Sequence, residues 1–294
     1  PAGRPTWGKQ HTRTSRFPPI ESTAVGNEPH PRRPILICST AAFFNRPLGE
    51  AFGHIADSGF GGVEVMVTRD PATQKAHVLR ELSREHGLAI RAIHAPFLLM
   101  TRKVWSSDPI AKIDRSIELA RETGAPLVVV HPPYRWQAAY RRWVDERLPD
   151  IASETGTLVG MENMFPLRLR GERGVRLHAR QSIHDLDPYP HVVLDTSHAA
   201  VSGLDPFEAV RRLGHRLVHV HLSNNTGRGW DSHLPLDQGV LPIVEFLDLL
   251  RAEGFSGNVS LELDLRRYME DHAALRRVLA SNLAICRERL PQPV

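Results

Sequence analysis

From Pro34 onward the chain alternates between two patterns. Short runs of β-branched and apolar residues are followed by longer stretches whose apolar positions recur at helical spacing. The runs predict strands over Ile35–Cys38, Gly62–Val67, Ala89–His94, Leu127–His131, Thr157–Glu162, His191–Asp195, Leu217–Leu222 and Val259–Leu263. The stretches between them predict helices over Pro47–Ser58, Ala72–His86, Pro109–Thr123, Trp136–Glu154, Pro206–Leu213, Leu241–Glu253 and Asp271–Glu288. Gly59, Gly87, Gly124, Gly214 and Gly254 stand where several of these helices should stop. Repeated β-then-α units imply a parallel sheet with right-handed crossovers. Eight strands point to a closed (β/α)8 barrel, the TIM barrel, over residues 34–290. An open doubly wound sheet is the alternative, but no Gly-rich phosphate loop follows the first strand.

Composition narrows the class. The chain has 294 residues, 41% hydrophobic and 24% charged, which suits one globular domain of the barrel type. No apolar run reaches membrane-spanning length, and no apolar segment follows the basic N-terminal residues as in a signal peptide. Two cysteines, Cys38 and Cys286, are too few for a disulfide framework, so a reducing cytoplasm is the expected location. The formal charge of +4 lies entirely in residues 1–33, where Arg4, Lys9, Arg13, Arg16, Arg32 and Arg33 face only Glu21 and Glu28. This Pro-, Gly- and Ser-rich segment is expected to be a disordered tail. The remainder is formally neutral, so the basic total does not argue for a nucleic-acid-binding barrel.

The strand ends carry the chemistry. Strand three ends in His94, strand four in His131 and strand five in Glu162. Strand six ends in Asp195 with His198 just beyond, and strand seven ends near His221, with Asp231 and His233 in its loop. Strand eight carries Glu262. In such a barrel the C-terminal strand ends converge on one mouth, where active sites sit. Imidazole and carboxylate are the ligand set for zinc, manganese, iron or cobalt. Without a cation, several carboxylates in a half-buried mouth would repel and be costly to desolvate. Taken singly, each residue has a plainer reading: His131 as a hydrogen-bonded pocket residue, Asp195 and His198 as a turn and helix cap, Asp231 and His233 as a solvated loop. Glu64, at the end of strand two, lines the pocket or pairs with a neighbour. His219 should point into the barrel one layer below His221, as a satisfied core histidine.

The sequence resembles the sugar phosphate isomerase/epimerase and endonuclease IV superfamily, the xylose isomerase-like barrels. The resemblance spans roughly Pro34 to Glu288. It rests on Gly-Phe-Gly-Gly-Val-Glu at 59–64, His-Ala-Pro-Phe at 94–97, Glu-Asn-Met at 162–164, Asp-Thr-Ser-His at 195–198, His-Val-His-Leu at 219–222, and Asp-Ser-His-Leu-Pro-Leu at 231–236 with Gly239. It implies one divalent metal on Glu162, Asp195, His221 and Glu262, as in the isomerases and epimerases. Endonuclease IV holds three zinc ions on nine residues that match these four together with His94, His131, His198, Asp231 and His233. The implied cofactor is therefore one to three ions of zinc, manganese or cobalt. Glu162 and Glu262, with His198, would be the catalytic groups of a proton transfer on a small sugar, polyol or sugar phosphate. Glu64, His94 and Phe97 would contact that substrate. The rival reading is hydrolysis of a phosphodiester at abasic DNA. Phe97 stands where endonuclease IV has a Tyr that enters the DNA, which weakens the nucleic-acid reading, while Arg168, Arg170, Arg173 and Arg176 offer it a phosphate-facing patch. A non-catalytic binding barrel is the third reading, and stability alone does not require nine such residues at one mouth. No membrane partner is expected. A homo-oligomer is compatible with the superfamily.

Overall fold

The computed structural model describes residues 33–97, 101–166, 175–227 and 229–290. The basic tail expected over 1–33 falls, apart from Arg33, outside them, as do Arg168, Arg170 and Arg173. Eight strands pair in parallel in chain order, and the last closes on the first. They are β1 (Ile35–Ser39), β2 (Gly62–Met66), β3 (Ala89–His94), β4 (Leu127–Val130), β5 (Leu158–Glu162), β6 (Val192–Asp195), β7 (Leu217–Leu222) and β8 (Asn258–Leu261). The expected (β/α)8 barrel is the fold of this protein.

The helices are α1 (Leu48–Asp57), α2 (Ala76–His86), α3 (Pro109–Thr123), α4 (Ala138–Thr155), α5 (Thr196–Ser202), α6 (Pro206–Leu213), α7 (Ile243–Ala252) and α8 (His272–Arg289). Helices α3 and α6 coincide with the predicted spans because their starts are written plainly. Asp108 and Asp205 each accept a backbone N–H of the first turn, and a proline occupies the first helical position. Gly124 ends α3 at φ +76°, where an L side chain would be strained. The helix expected over Ala72–His86 is broken. A 3-10 turn at Pro71–Gln74, capped by Asp70, is separated from α2 by Lys75 in an extended conformation. Between β5 and β6 the described residues form a 3-10 turn, Ile183–Leu186, and an isolated antiparallel bridge from His178 to Tyr134, with no α-helix among them. Among the described residues no helix is long and apolar enough to cross a membrane.

The main core is the apolar layer between strands and helices. A second, smaller cluster comprises Ala92, Leu127, Val129 and Val193, with Leu158 and Val218 packed against it. Above this plug the strands supply polar groups that are fully buried, among them Glu64, Asp195, His219 and His221. Burying so many ionisable side chains costs stability unless each is paired or holds an ion. That cost marks the C-terminal half of the barrel as the part shaped for function.

Candidate metal centre

All nine residues expected at the mouth meet there. His221, at the end of β7, points its Nδ1 at three carboxylates: Glu262 Oε2 at 3.1 Å, Glu162 Oε1 at 3.2 Å and Asp195 Oδ2 at 3.8 Å. Glu162, at the end of β5, also faces His131 Nε2 at 3.2 Å and His94 Nε2 at 3.5 Å through Oε2, and His198 Nδ1 at 3.3 Å through Oε1. On the far side Asp231 Oδ2 lies 2.8 Å from His233 Nε2 and 3.3 Å from His198 Nε2. The donor atoms fall into adjoining groups. His94, His131 and Glu162 form one, Glu162, Asp195 and His221 a second, and Asp195, His198 and His233 a third.

The local structure that places them is specific. Asp195 caps α5, its Oδ1 accepting the His198 N–H at 2.7 Å. That one-turn offset puts the His198 ring back over the strand end, beside Glu162. Asn163 pins the strand end from β5: its Oδ1 accepts the Asp195 N–H at 2.7 Å, and its Nδ2 donates to the Asp195 carbonyl at 3.1 Å. The loop after β7 is tied by Asn225, which donates to Ser197 Oγ and to the Trp230 carbonyl, while Ser197 donates to Asp231 Oδ1 at 2.6 Å. Asn224 braces the same loop through Leu236 and Leu241. Asn163, Ser197, Asn224 and Asn225 were not singled out from sequence. Each is a small buried polar residue within three positions of a candidate ligand or strand end, and that adjacency was the available signal.

The electrostatics are those of a site built for positive charge. Burial alone would raise the Glu162 carboxyl. Charge on His221 and hydrogen bonds from His131, His198 and His221 instead hold it well below the usual range. Burial raises Asp195 and Glu262, only partly opposed by the neighbouring imidazoles. Burial pulls His233 down, but Asp231 and Asp195 outweigh it and push it up to about 10. His221 and His198 are raised well above their ordinary value by the surrounding carboxylates, against their burial. Asp195 Oδ2 is buried with no hydrogen-bond partner, and Glu162 Oε2, also buried, meets only the imidazole nitrogens of His131 and His94 at 3.2 and 3.5 Å. Buried carboxylate oxygens so poorly satisfied are costly, so this donor set fits a divalent cation.

The site floors a cavity of about 420 Å³. Glu162, Glu262, His94, His131, His198, Asp231 and His233 line it, with Phe44, Met66, Met164 and Phe165 as apolar wall. Among the described lining residues the one arginine is Arg266, which is paired with Asp264. Phe97 stacks on Tyr140 and lies beside His131, so its ring buttresses a candidate ligand. Glu64 is placed differently from its expected substrate contact. It is fully buried and lies behind His221, with His221 Nε2 at 3.0 Å and His219 Nε2 at 2.8 Å.

A closed parallel barrel whose mouth gathers imidazoles and carboxylates around a cavity defines an α/β-barrel protein with a candidate metal centre. The chain belongs to the xylose isomerase-like TIM barrel family, which it matches over residues 52–281. An uncharacterised protein of Mycobacterium tuberculosis (strain ATCC 25618 / H37Rv) is 35% identical over 243 residues, covering 76% of this chain and 87% of the relative. A solved structure of a D-tagatose 3-epimerase-like protein is similar with a TM-score of 0.61 at 24% identity, covering 86% of this chain and 98% of that one. AP endonuclease, family 2 from Brucella melitensis is similar with a TM-score of 0.62 at 18% identity, covering 81% and 99%. At these identities the solved structures share the fold.

Proposed function

We propose that this protein is a metal-dependent isomerase or epimerase of a small sugar, polyol or sugar phosphate. One observation carries the reading. Glu162 and Glu262 approach the same His221 nitrogen, at 3.2 and 3.1 Å, on the floor of a cavity of about 420 Å³ that suits one small ligand. Glu162, Asp195, His221 and Glu262 would hold a divalent cation, whether zinc, manganese or cobalt. Bound there, the cation supplies Lewis acidity to a substrate carbonyl and its neighbouring hydroxyl.

The chain's own groups do the rest. Isomerisation needs a proton removed from carbon beside the carbonyl and a proton returned. Glu162 and Glu262 flank that position, and their environments push their protonation in opposite directions, which suits one as base and the other as donor. His198 and His94 stand within reach of substrate hydroxyls, and Phe44 and Phe165 give an apolar wall to a sugar ring. Similar solved structures include a D-tagatose 3-epimerase-like protein and a D-allulose 3-epimerase, which supports the same reading. Glu162→Gln and Glu262→Gln should each lower turnover by about 10²–10⁴-fold with the fold intact, tested against a panel of sugars and sugar phosphates. Wild-type turnover in either variant refutes the assignment.

A second reading, a multi-zinc phosphodiester hydrolase at abasic DNA, is favoured by one feature. His94, His131, His198, Asp231 and His233 extend the four-residue site into adjoining groups able to hold further ions. Elemental analysis of protein purified without chelator separates the two. About one metal per chain supports the isomerase. Two or three zinc ions with cleavage of an abasic duplex support the hydrolase.

A further inference from the structure

Beneath the candidate centre, and sharing His221 with it, lies a wholly buried array whose Glu64 and His219 the proposed chemistry does not use. Glu64 on β2 and His219 and His221 on β7 are all fully buried. Two strands, β8 and β1, separate β7 from β2 around the barrel, so the Glu64 side chain crosses the interior to reach the histidines. Ser260 is registered beside His221, and Ser39 beside Glu64. Both are small, which leaves the crossing open. The two register shifts among the described strand pairs fall at this array: β3 carries Arg91 as an extra residue opposite Val63 and Glu64, and β7 carries Val218 as one just before His219. Bulges re-aim side chains where they occur.

Resting on the metal-site reading above, we infer that Glu64 is a positioning residue that fixes His221 with its Nδ1 toward the metal, and that His219 holds Glu64 in place for this. The hydrogen bonds have one consistent direction. Arg91 Nε can only donate, and lies 3.5 Å from Asn258 Oδ1. That sets the Asn258 amide so that Nδ2 donates to His219 Nδ1 at 3.4 Å. His219 therefore carries its proton on Nε2, which donates to Glu64 Oε2 at 2.8 Å. An ionised carboxylate is acceptor-only, so His221 Nε2, at 3.0 and 3.1 Å from the two Glu64 oxygens, also donates. The Nδ1 of His221 is thereby left for the Glu162, Asp195 and Glu262 point. The carboxylate–imidazole–metal arrangement fixes ligand orientation and basicity in metal proteins generally, and losing the outer carboxylate costs about 10–100-fold in metal affinity.

Glu64→Gln is the informative change. It keeps size, but it sets an NH2 against one of two N–H donors, so one imidazole must turn its proton to the other nitrogen. The intact protein is titrated with cobalt(II) against a chromogenic chelator, alongside Glu64→Gln and His219→Gln. Glu64→Gln should bind about 10–100-fold more weakly with altered visible cobalt bands and unchanged stoichiometry, and His219→Gln should show a smaller loss. Wild-type affinity and spectrum in Glu64→Gln overturn the inference. So does loss of one whole metal equivalent, which would make Glu64 a ligand. If Glu64→Gln does not fold, nitrogen-15 histidine spectra of the wild-type protein decide. Protons on Nε2 of both His219 and His221, with His221 Nδ1 shifted by zinc, support it, and a proton on His221 Nδ1 in the zinc-loaded protein overturns it. Wild-type protein that takes up no metal sinks the functional reading instead, independently of the variants.

Discussion

Asp195 has two jobs that one substitution can separate. Its Oδ1 caps α5 at 2.7 Å from the His198 N–H, whereas its Oδ2 is buried without a hydrogen bond, 3.8 Å from His221 Nδ1. Asp195→Asn keeps a cap acceptor, and Asn is as good an N-cap as Asp. It replaces the free oxygen by an amide nitrogen that cannot bind a cation. Metal-free stability should therefore stay within about 1 kcal/mol of wild type, while Asp195→Ala should lose about 1 kcal/mol or more with the cap. Loss of one anionic ligand should cost at least about 100-fold in affinity, or about 2.8 kcal/mol at 1.4 kcal/mol per decade. When both proteins are saturated, that amount disappears from the stabilisation that bound metal confers. For a domain of this size it corresponds to about 5–10 °C in melting temperature. The assay is a pair of thermal melts for each protein, one in chelator and one in excess zinc or manganese. A metal-dependent shift in Asp195→Asn equal to the wild-type shift would reduce Asp195 to a helix cap and refute the reasoning.

Other perturbations read other parts of the site. Gly239→Ala would set a Cβ 2.2 Å from Asn224 Oδ1 and 2.6 Å from the Asn225 carbonyl. It should destabilise by about 1–3 kcal/mol and lower metal content by displacing the loop that carries Asp231 and His233; full metal loading would count against that bracing role. Lys112 is buried and donates to the Pro96 and Thr101 carbonyls at 2.6 and 2.9 Å. Lys112→Met removes the donor to the Pro96 carbonyl, while the Thr101 carbonyl keeps the Val104 N–H at 2.9 Å; the change should cost about 1–3 kcal/mol in chemical denaturation, whereas an unchanged midpoint would show that the clamp is dispensable. His178 is buried, with its Nδ1 2.7 Å from the Pro132 carbonyl, and burial lowers it to about 4. Its folded value lies below its unfolded one, so its contribution is present above about pH 6.5 and is lost as pH falls toward 4, about 3 kcal/mol in all. In chelator, His178→Gln should lose correspondingly less stability than wild type over that window, and parallel pH curves would refute the assignment.

Much of this was legible in the chain because the barrel repeats one simple unit. Strands β3 and β7 and helices α3 and α6 fall on the residues that periodicity and capping predict. Helix α5 was not anticipated, since its seven residues are mostly buried and show no amphipathic period. Its only sequence mark was Asp195 followed by His198, which reads equally as a cap and as two ligands; in the structure the cap geometry is what brings the pair together. Lys75 broke a helix that apolar spacing alone would continue, because the hydroxyl of Thr73 bonds back to the Asp70 carbonyl and accepts the Thr68 N–H. Such short polar turns leave no periodic trace.

Depth within the barrel was the least legible quantity, and it decides function. Side-chain direction repeats every two residues, so pattern alone says that a residue faces inward but not at which level. His219, counted back from the end of β7, is correctly read as one layer below His221. The same count on β2 puts Glu64 two residues before Met66, and Met66 lines the cavity while Glu64 is sealed beneath it. A carboxylate one layer down cannot touch substrate, but it can reach the back of an imidazole whose front faces the mouth. The barrel thus separates orientation from chemistry by one strand step of about 6–7 Å. Groups at the mouth can vary with substrate while the layer below keeps the ligand nitrogen aimed, so a change at Glu64 should act on metal affinity before it acts on substrate preference.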